Sequence, residues 1–188
     1  MRTFRCKSLT GITALCLSLT PFVYPRAVQA EECEIDFPAL VRAITAVESG
    51  GNPRAVGSAG ERGLMQIKLQ TWREVTKKEF GERIPFTRAF EPALNQQVGQ
   101  AYLELIASQL ALNRDKLNDD FLALLVASYH RGPHCLESVG FTTRRLSAST
   151  REYVERVLNL HGLYSSQNQM LAMETHGQPH GGVATAPN

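Results

Sequence analysis

The chain has 188 residues, 20 basic and 18 acidic side chains, a formal charge of +2 and 43% hydrophobic residues, which suffices for one domain with a real core. That near balance, with no basic stripe, lacks the footprint of a nucleic-acid-binding surface and excludes nucleic acid as a partner. The histidines (His130, His134, His161, His176, His180) and cysteines show no tetrahedral ligand spacing, so neither a metal nor a cofactor is expected.

Residues 1–30 read as a secretory signal peptide: Arg2, Arg5 and Lys7, an apolar run from Leu9 to Leu19, a break at Pro21, then Val28-Gln29-Ala30 before Glu31. The competing reading is an uncleaved anchor, but Thr13, Ser18 and Thr20 interrupt the run, and it falls short of the ~20 residues a span requires. Cleavage after Ala30 exports the chain, with the periplasm as its expected location. It also removes Arg2, Arg5, Lys7 and Arg26, leaving 16 basic against 18 acidic side chains. Cys6 and Cys16 leave with the signal, so Cys33 and Cys135 remain as a pair in an oxidising compartment. A disulfide between them is the natural expectation, contributing on the order of 4 kcal/mol of loop entropy if unstrained. Two free buried thiols are the alternative.

Residues 31–164 have globular composition. Asp36 caps a helix with Pro38 in its first turn; Leu40, Val41, Ile44 and Val47 share one face, and Gly50-Gly51 ends it. Residues 50–62 are rich in turn formers and lead into Gly63-Leu64-Met65-Gln66-Ile67, expected as a loop with a short helical or extended turn. A helix over 71–80 follows, with Trp72, Val75 and Phe80 inward and Gly81 as its stop. The next runs from Glu91-Pro92 to Leu112, with Leu94, Val98, Tyr102, Leu105, Ile106 and Leu110 at helical spacing. Asp119 or Asp120 caps a helix from Phe121 to His130, apolar enough to be central. Ser149 or Thr150 opens the last, through Val154, Val157, Leu158 and Leu160 to Gly162. Five helical segments and almost no alternating runs predict an all-α domain. Residues 165–188, rich in Gln, Gly, Pro, His and small residues, are expected as a disordered tail.

Glu48 is the residue with a chemical case. It closes an amphipathic helix, where burial and the negative end of the helix dipole both raise a carboxyl pKa, as suits a general acid near neutral pH.

Around it the chain resembles the soluble lytic transglycosylase family, which shares its fold with goose-type lysozymes. The motifs that carry the resemblance run in order from 48 to 154: Glu48-Ser49-Gly50-Gly51-Asn52-Pro53; Ser58-Ala59-Gly60; Gly63-Leu64-Met65-Gln66-Ile67; Pro92, Asn95, Gly99 and Tyr102-Leu103; Ala127-Ser128-Tyr129 with Gly132-Pro133; and Tyr153-Val154. The resemblance implies a lysozyme-like α domain that cuts the β-1,4 bond between N-acetylmuramic acid and N-acetylglucosamine in peptidoglycan without water, leaving 1,6-anhydromuramoyl ends. Glu48 would protonate the leaving oxygen and then take the proton of the C6 hydroxyl as it attacks the anomeric carbon. Ser49 would orient groups beside it or hydrogen-bond the substrate, Gln66 would exchange hydrogen bonds with the sugar, Met65 would supply an apolar wall or join Leu64 in the core, and Tyr129 and Tyr153 would line the cleft near the Glu, with a core tyrosine as the alternative for Tyr129. Asn95 and Tyr102 read as structural, fixing the loop to the long helix.

Two departures stand out. Where the family usually shows Asn and a small residue after the tyrosine, this chain has His130 and Arg131, a titratable ring and a cation at the cleft mouth. Where the family generally has a small residue, this chain has Glu61, which reads as a loop ion pair with Arg62 or as a second carboxylate that positions water and diverts the reaction to hydrolysis, as in a muramidase. The reading is thus a monomeric peptidoglycan transglycosylase acting on glycan strands, with a hydrolytic muramidase and a non-catalytic glycan-binding module as alternatives. Specialised members of the family open the wall for secretion, conjugation or flagellar machines, and the tail would be the docking segment.

Overall fold

Residues 35–176 are described by a computed structural model, in which six α-helices and three short 3-10 turns enclose one core. The expected signal peptide and Cys33 lie outside the described residues; Cys135 is half-buried. Helix α1 spans Phe37–Ser49. Asp36 accepts the Ala39 N–H at 2.9 Å, Pro38 sits in the first turn, and Gly50, at φ +60°, ends the helix by donating to Ala46 O. Ala39, Leu40, Val41, Ala43 and Ile44 are buried, which leaves Glu48 at the last turn of a helix already anchored in the core.

Of the helical and extended turns expected for this loop, segment 55–67 takes the extended one. Val56 pairs with Arg62 and Arg62 with Ile67 as isolated antiparallel bridges. Helix α2, Leu69–Glu79, buries Trp72, whose indole donates to Ile84 O at 2.8 Å, and Thr76, whose hydroxyl accepts the Ile84 N–H. The returning chain occupies the inner space, with Phe86 5.9 Å from the Trp72 ring. Phe80 therefore points out, 39% exposed, against the expectation that it faced inward.

After a 3-10 turn at Phe86–Phe90, helix α3 runs Pro92–Ala111 and buries Asn95, Val98, Gly99, Leu103, Ile106 and Leu110. Helix α4, Phe121–Arg131, is capped by Asp120, which accepts the Ala123 N–H, and buries Leu124 through Ser128; it packs against both α3 and α6 and is the central helix expected from its apolar run. A short helix α5, Pro133–Ser138, was not legible in the sequence: one buried residue, Leu136, is too little for a periodic signal.

Helix α6 spans Ala148–His176, so the helix runs past the end expected near Gly162 and through the first residues of the expected tail; the rest of that tail, 177–188, lies outside the described residues. Gly162 does not stop it, and the helix is braced from α1. The Arg42 guanidinium lies 4.1 Å over the Tyr164 ring, and Asn168 donates to Asp36 at 3.1 Å. From 164 to 168 the polar composition belongs to a helix with one packed side, and residues 169–174 are exposed.

The tightest packing lies where segment 55–67 meets α3. A Cβ on Gly99 would stand 2.2 Å from Met65 Sδ, and one on Gly63 (φ +79°) 2.2 Å from Ala89 O. Gly99→Ala should cost roughly 1–3 kcal/mol through overpacking. Gly63→Ala should cost more, because it adds backbone strain to a clash with a carbonyl that cannot swing away. Thermal melts check both; equal Tm values for Gly63→Ala and wild type would contradict this packing.

Candidate active site

Three elements bring the chemistry together. The end of α1 supplies Glu48, the end of α4 supplies Tyr129, His130 and Arg131, and the third turn of α3 supplies Tyr102, while segment 57–71 closes the opposite wall with Gly57, Ser58, Glu61, Gln66, Ile67, Lys68 and Thr71. They enclose an open cleft of about 450 Å³ with Glu48 on its surface.

The wall of segment 57–71 is held by one buried amide. Asn95, fully buried on α3, accepts the Met65 N–H at 2.8 Å and donates to Ala89 O at 2.8 Å and Arg62 O at 3.0 Å. Tyr129 donates to Met65 O at 2.8 Å, so both backbone groups of Met65 are fixed from the helices behind. The Met65 side chain is thereby driven inward over Gly99 and is fully buried, so of the two readings, cleft wall and core, it takes the core. Ser49 donates to Leu64 O at 2.7 Å, tying the end of α1 to the same run rather than facing a ligand. Gln66 lines the cleft at φ +47°, but its amino group already donates to Gly63 O at 2.9 Å and Ala55 O at 3.2 Å, which leaves its carbonyl as the group open to a sugar.

Glu48 is half-buried, and Tyr153 donates to its Oε1 at 2.7 Å. Desolvation pushes its pKa above the usual value; the Tyr153 hydrogen bond pulls the other way, the Glu61 charge adds to the rise, and Arg156 and Lys68 oppose it. Desolvation wins, so the carboxyl holds its proton to higher pH than a surface glutamate. Tyr153 is 4% exposed and lies beneath Glu48 rather than along the cleft. Burial, followed by the Glu48 charge, raises the pKa of both Tyr153 and Tyr129, so the two hydroxyls stay neutral donors. The ring of His130 stacks on Tyr153 with centroids 4.1 Å apart and planes at 18°.

Glu61 does reach the cleft. It does not pair with Arg62, as the adjacent positions suggested: the Arg62 guanidinium sits 4.5 Å over the Phe86 ring, while Glu61 Oε2 accepts the Ala59 N–H at 3.0 Å and Oε1 stands 3.8 Å from Lys68 Nζ. Lys68, Thr71 and Tyr102 are cleft residues that the sequence did not mark as such. Tyr102 sits at core spacing on α3, and its ring, 5.6 Å from that of Tyr129, is placed at the cleft by the turn of the helix alone.

The transglycosylase SLT domain family matches residues 27–150 of this chain. The chain belongs to that family. Endo-type membrane-bound lytic murein transglycosylase A from Salmonella typhimurium and its counterpart from Salmonella enteritidis are each 33% identical to it over 126 residues, 65% of this chain and 58% of theirs, so this chain spans somewhat over half of those relatives. Among solved structures, an inactive mutant of the lytic transglycosylase Slt from Pseudomonas aeruginosa superposes with a TM-score of 0.59 at 27% identity, over 70% of this chain and 22% of that one. The 70 kDa soluble lytic transglycosylase from Escherichia coli, at 22% identity, a TM-score of 0.57 and coverage of 74% and 22%, shares the fold. The all-α, lysozyme-like architecture expected from the sequence is the one this family member has.

The raised pKa of Glu48 has a stability consequence of definite sign. A carboxyl whose folded pKa lies above its unfolded value, near 4.5, favours the folded state at pH below 4.5, and that contribution is lost as pH rises through the folded value. Glu48→Gln keeps an acceptor for Tyr153 and removes the buried charge, so it should raise Tm at neutral pH, with the gain fading toward pH 4.5 and below. Melting curves from pH 4 to 8 check this; a pH-independent difference would show that Glu48 is solvated like any surface acid.

Proposed function

We propose that this protein is a peptidoglycan lytic transglycosylase that cleaves the β-1,4 bond between N-acetylmuramic acid and N-acetylglucosamine and leaves 1,6-anhydromuramoyl ends. The observation that carries the reading is Glu48: one half-buried carboxyl with a raised pKa, held by the Tyr153 hydroxyl on the surface of a polar cleft. A protonated Glu48 donates to the leaving glycosidic oxygen. The same carboxylate then accepts the C6 hydroxyl proton while that oxygen closes on the anomeric carbon, so no water and no second carboxylate are required. Tyr153 stabilises the anionic form between the two steps, which brings the proton affinity of Glu48 back toward what a group that must both give and take a proton needs. The carbonyl of Gln66 and the polar rim at Ser58 and Thr71 suit the hydroxyl and N-acetyl groups of a glycan strand.

Glu61 favours a second reading enough to be tested. It lines the same cleft and raises the Glu48 pKa. A water held between the two carboxyls would make the enzyme an inverting muramidase. Against that, Glu61 already engages the Ala59 N–H and lies beside Lys68, which suits a loop clasp. A non-catalytic glycan-binding module has no use for a buried, proton-retaining Glu48. The relatives' names place them at membranes or murein, and we place this chain in the cell envelope, exported to the periplasm by residues 1–30, with a Cys33–Cys135 disulfide. It acts as a monomer on peptidoglycan strands, and a local role in opening the wall for an envelope-spanning machine is part of the same reading.

Purified peptidoglycan digested with the wild type, Glu48→Gln and Glu61→Gln, with the released muropeptides weighed, tests the reading. Anhydromuramoyl ends from wild type and Glu61→Gln, and none from Glu48→Gln, are expected. Reducing ends that vanish in Glu61→Gln would establish the muramidase instead.

A further inference from the structure

His130 stands on the cleft wall, exposed on one side and stacked on the other against Tyr153. Tyr153 is buried and donates from its hydroxyl to Glu48 Oε1, so the imidazole is the layer between the cleft and the ring that holds the carboxyl. A tyrosine hydroxyl is the far end of a rigid lever; a small tilt of the ring moves it most. The parallel imidazole, 4.1 Å away, blocks that tilt on the side where solvent would allow it.

The charged and titratable groups around His130 come from four elements: Arg131 on α4 itself, Lys68 at the start of α2, Tyr153 and Arg156 on α6, and Glu48 at the end of α1, with Glu61 facing across the same cleft. Partial desolvation, and then the cations of Arg131, Lys68 and Arg156, lower its pKa, so the ring is neutral at neutral pH.

We propose that His130 is a positioning residue for Glu48: its neutral ring holds Tyr153 under the carboxyl, and protonation of the ring disables the site on the acid side of the activity profile. An imidazolium beside the Tyr153–Glu48 pair draws Glu48 toward its anionic form, which cannot protonate a leaving oxygen. It also adds a fourth cation to Arg131, Lys68 and Arg156, and that repulsion favours swinging the ring away from Tyr153. The inference rests on the reading of Glu48 as the acid.

The test measures kcat and KM from pH 4 to 8 on soluble glycan strands for the wild type, His130→Ala, His130→Phe and Glu48→Gln, with a thermal melt of each. His130→Ala should lower kcat by about tenfold or more with little change in KM, since a small misplacement of a catalytic group is costly. His130→Phe, a flat ring that takes no proton, should recover most of that loss and move the acid limb to lower pH. A His130→Ala enzyme with wild-type kcat and an unmoved acid limb overturns the proposal, as does a His130→Phe enzyme no better than His130→Ala. Full activity in Glu48→Gln would remove the functional reading beneath it. An inactive Glu48→Gln beside a normal His130→Ala removes this inference alone.

Discussion

Asn95 carries the constraint on which the cleft depends. It is a fully buried amide whose carbonyl takes the Met65 N–H and whose amino group serves Arg62 O and Ala89 O. Buried polar groups left without partners cost about 1–3 kcal/mol each, so these three bonds hold the segment 62–65 against α3 in one position. With that position fixed, Met65 has its side chain over Gly99 and its carbonyl under Tyr129, and Leu64 has its carbonyl at Ser49. One side chain on α3 thereby sets the distance between the wall of the cleft and the end of α1.

Against that fixed wall, the electrostatics of Glu48 are a contest between two buried effects. Desolvation alone would hold the proton on the carboxyl too firmly for it to be given up, and hydrogen bonding alone would leave the carboxyl ionised with no proton to give. The Tyr153 donor tempers the first without cancelling it. Because burial and the Glu48 charge keep the Tyr153 proton on its oxygen, the donor does not lose its function as pH rises through the neutral range. A lysine in place of the tyrosine would supply a full charge and hold Glu48 ionised, which suits a base but not an acid.

The helical architecture was legible because α1, α3 and α4 each carry apolar residues at helical spacing with a cap or a proline at the start: Asp36 and Pro38, Pro92, Asp120. The position of Glu48 was legible for the same reason, as the last turn of a helix whose buried face is plain in the sequence, while its candidate role came from the motif series around it. What periodicity could not show is which member of a motif faces the ligand. Ser49, Met65 and Gln66 lie in the runs that marked the site, yet Ser49 turns to the Leu64 carbonyl and Met65 to the core, because Asn95, thirty residues beyond Met65, fixes the segment they meet. Lys68 and Thr71 went unmarked because a wall residue on an exposed helix start looks like any surface residue. The last helix was cut short at Gly162 because its second half is polar, and its contacts with α1 are made by Arg42, Tyr164 and Asn168 rather than by an apolar stripe.

That second half explains how the Glu48 end of α1 is kept in place. Helices α1 and α6 run antiparallel: Asp36, at the start of α1, accepts from Asn168 far along α6, while Glu48, at the end of α1, accepts from Tyr153 near the start of α6. The two bonds are one helix length apart, with the Arg42–Tyr164 contact between them. A helix held at one point can pivot, and a helix held at both ends by the same partner cannot. Burial of Leu40, Val41 and Ile44 supplies the adhesion between α1 and the core, since apolar contact is strong but indifferent to small slides. The directional bonds at the two ends supply the register, and register is what the role proposed for Glu48 would require. The length of α6 beyond the core thus supports the candidate site, although among the described residues none after 164 lines the cleft.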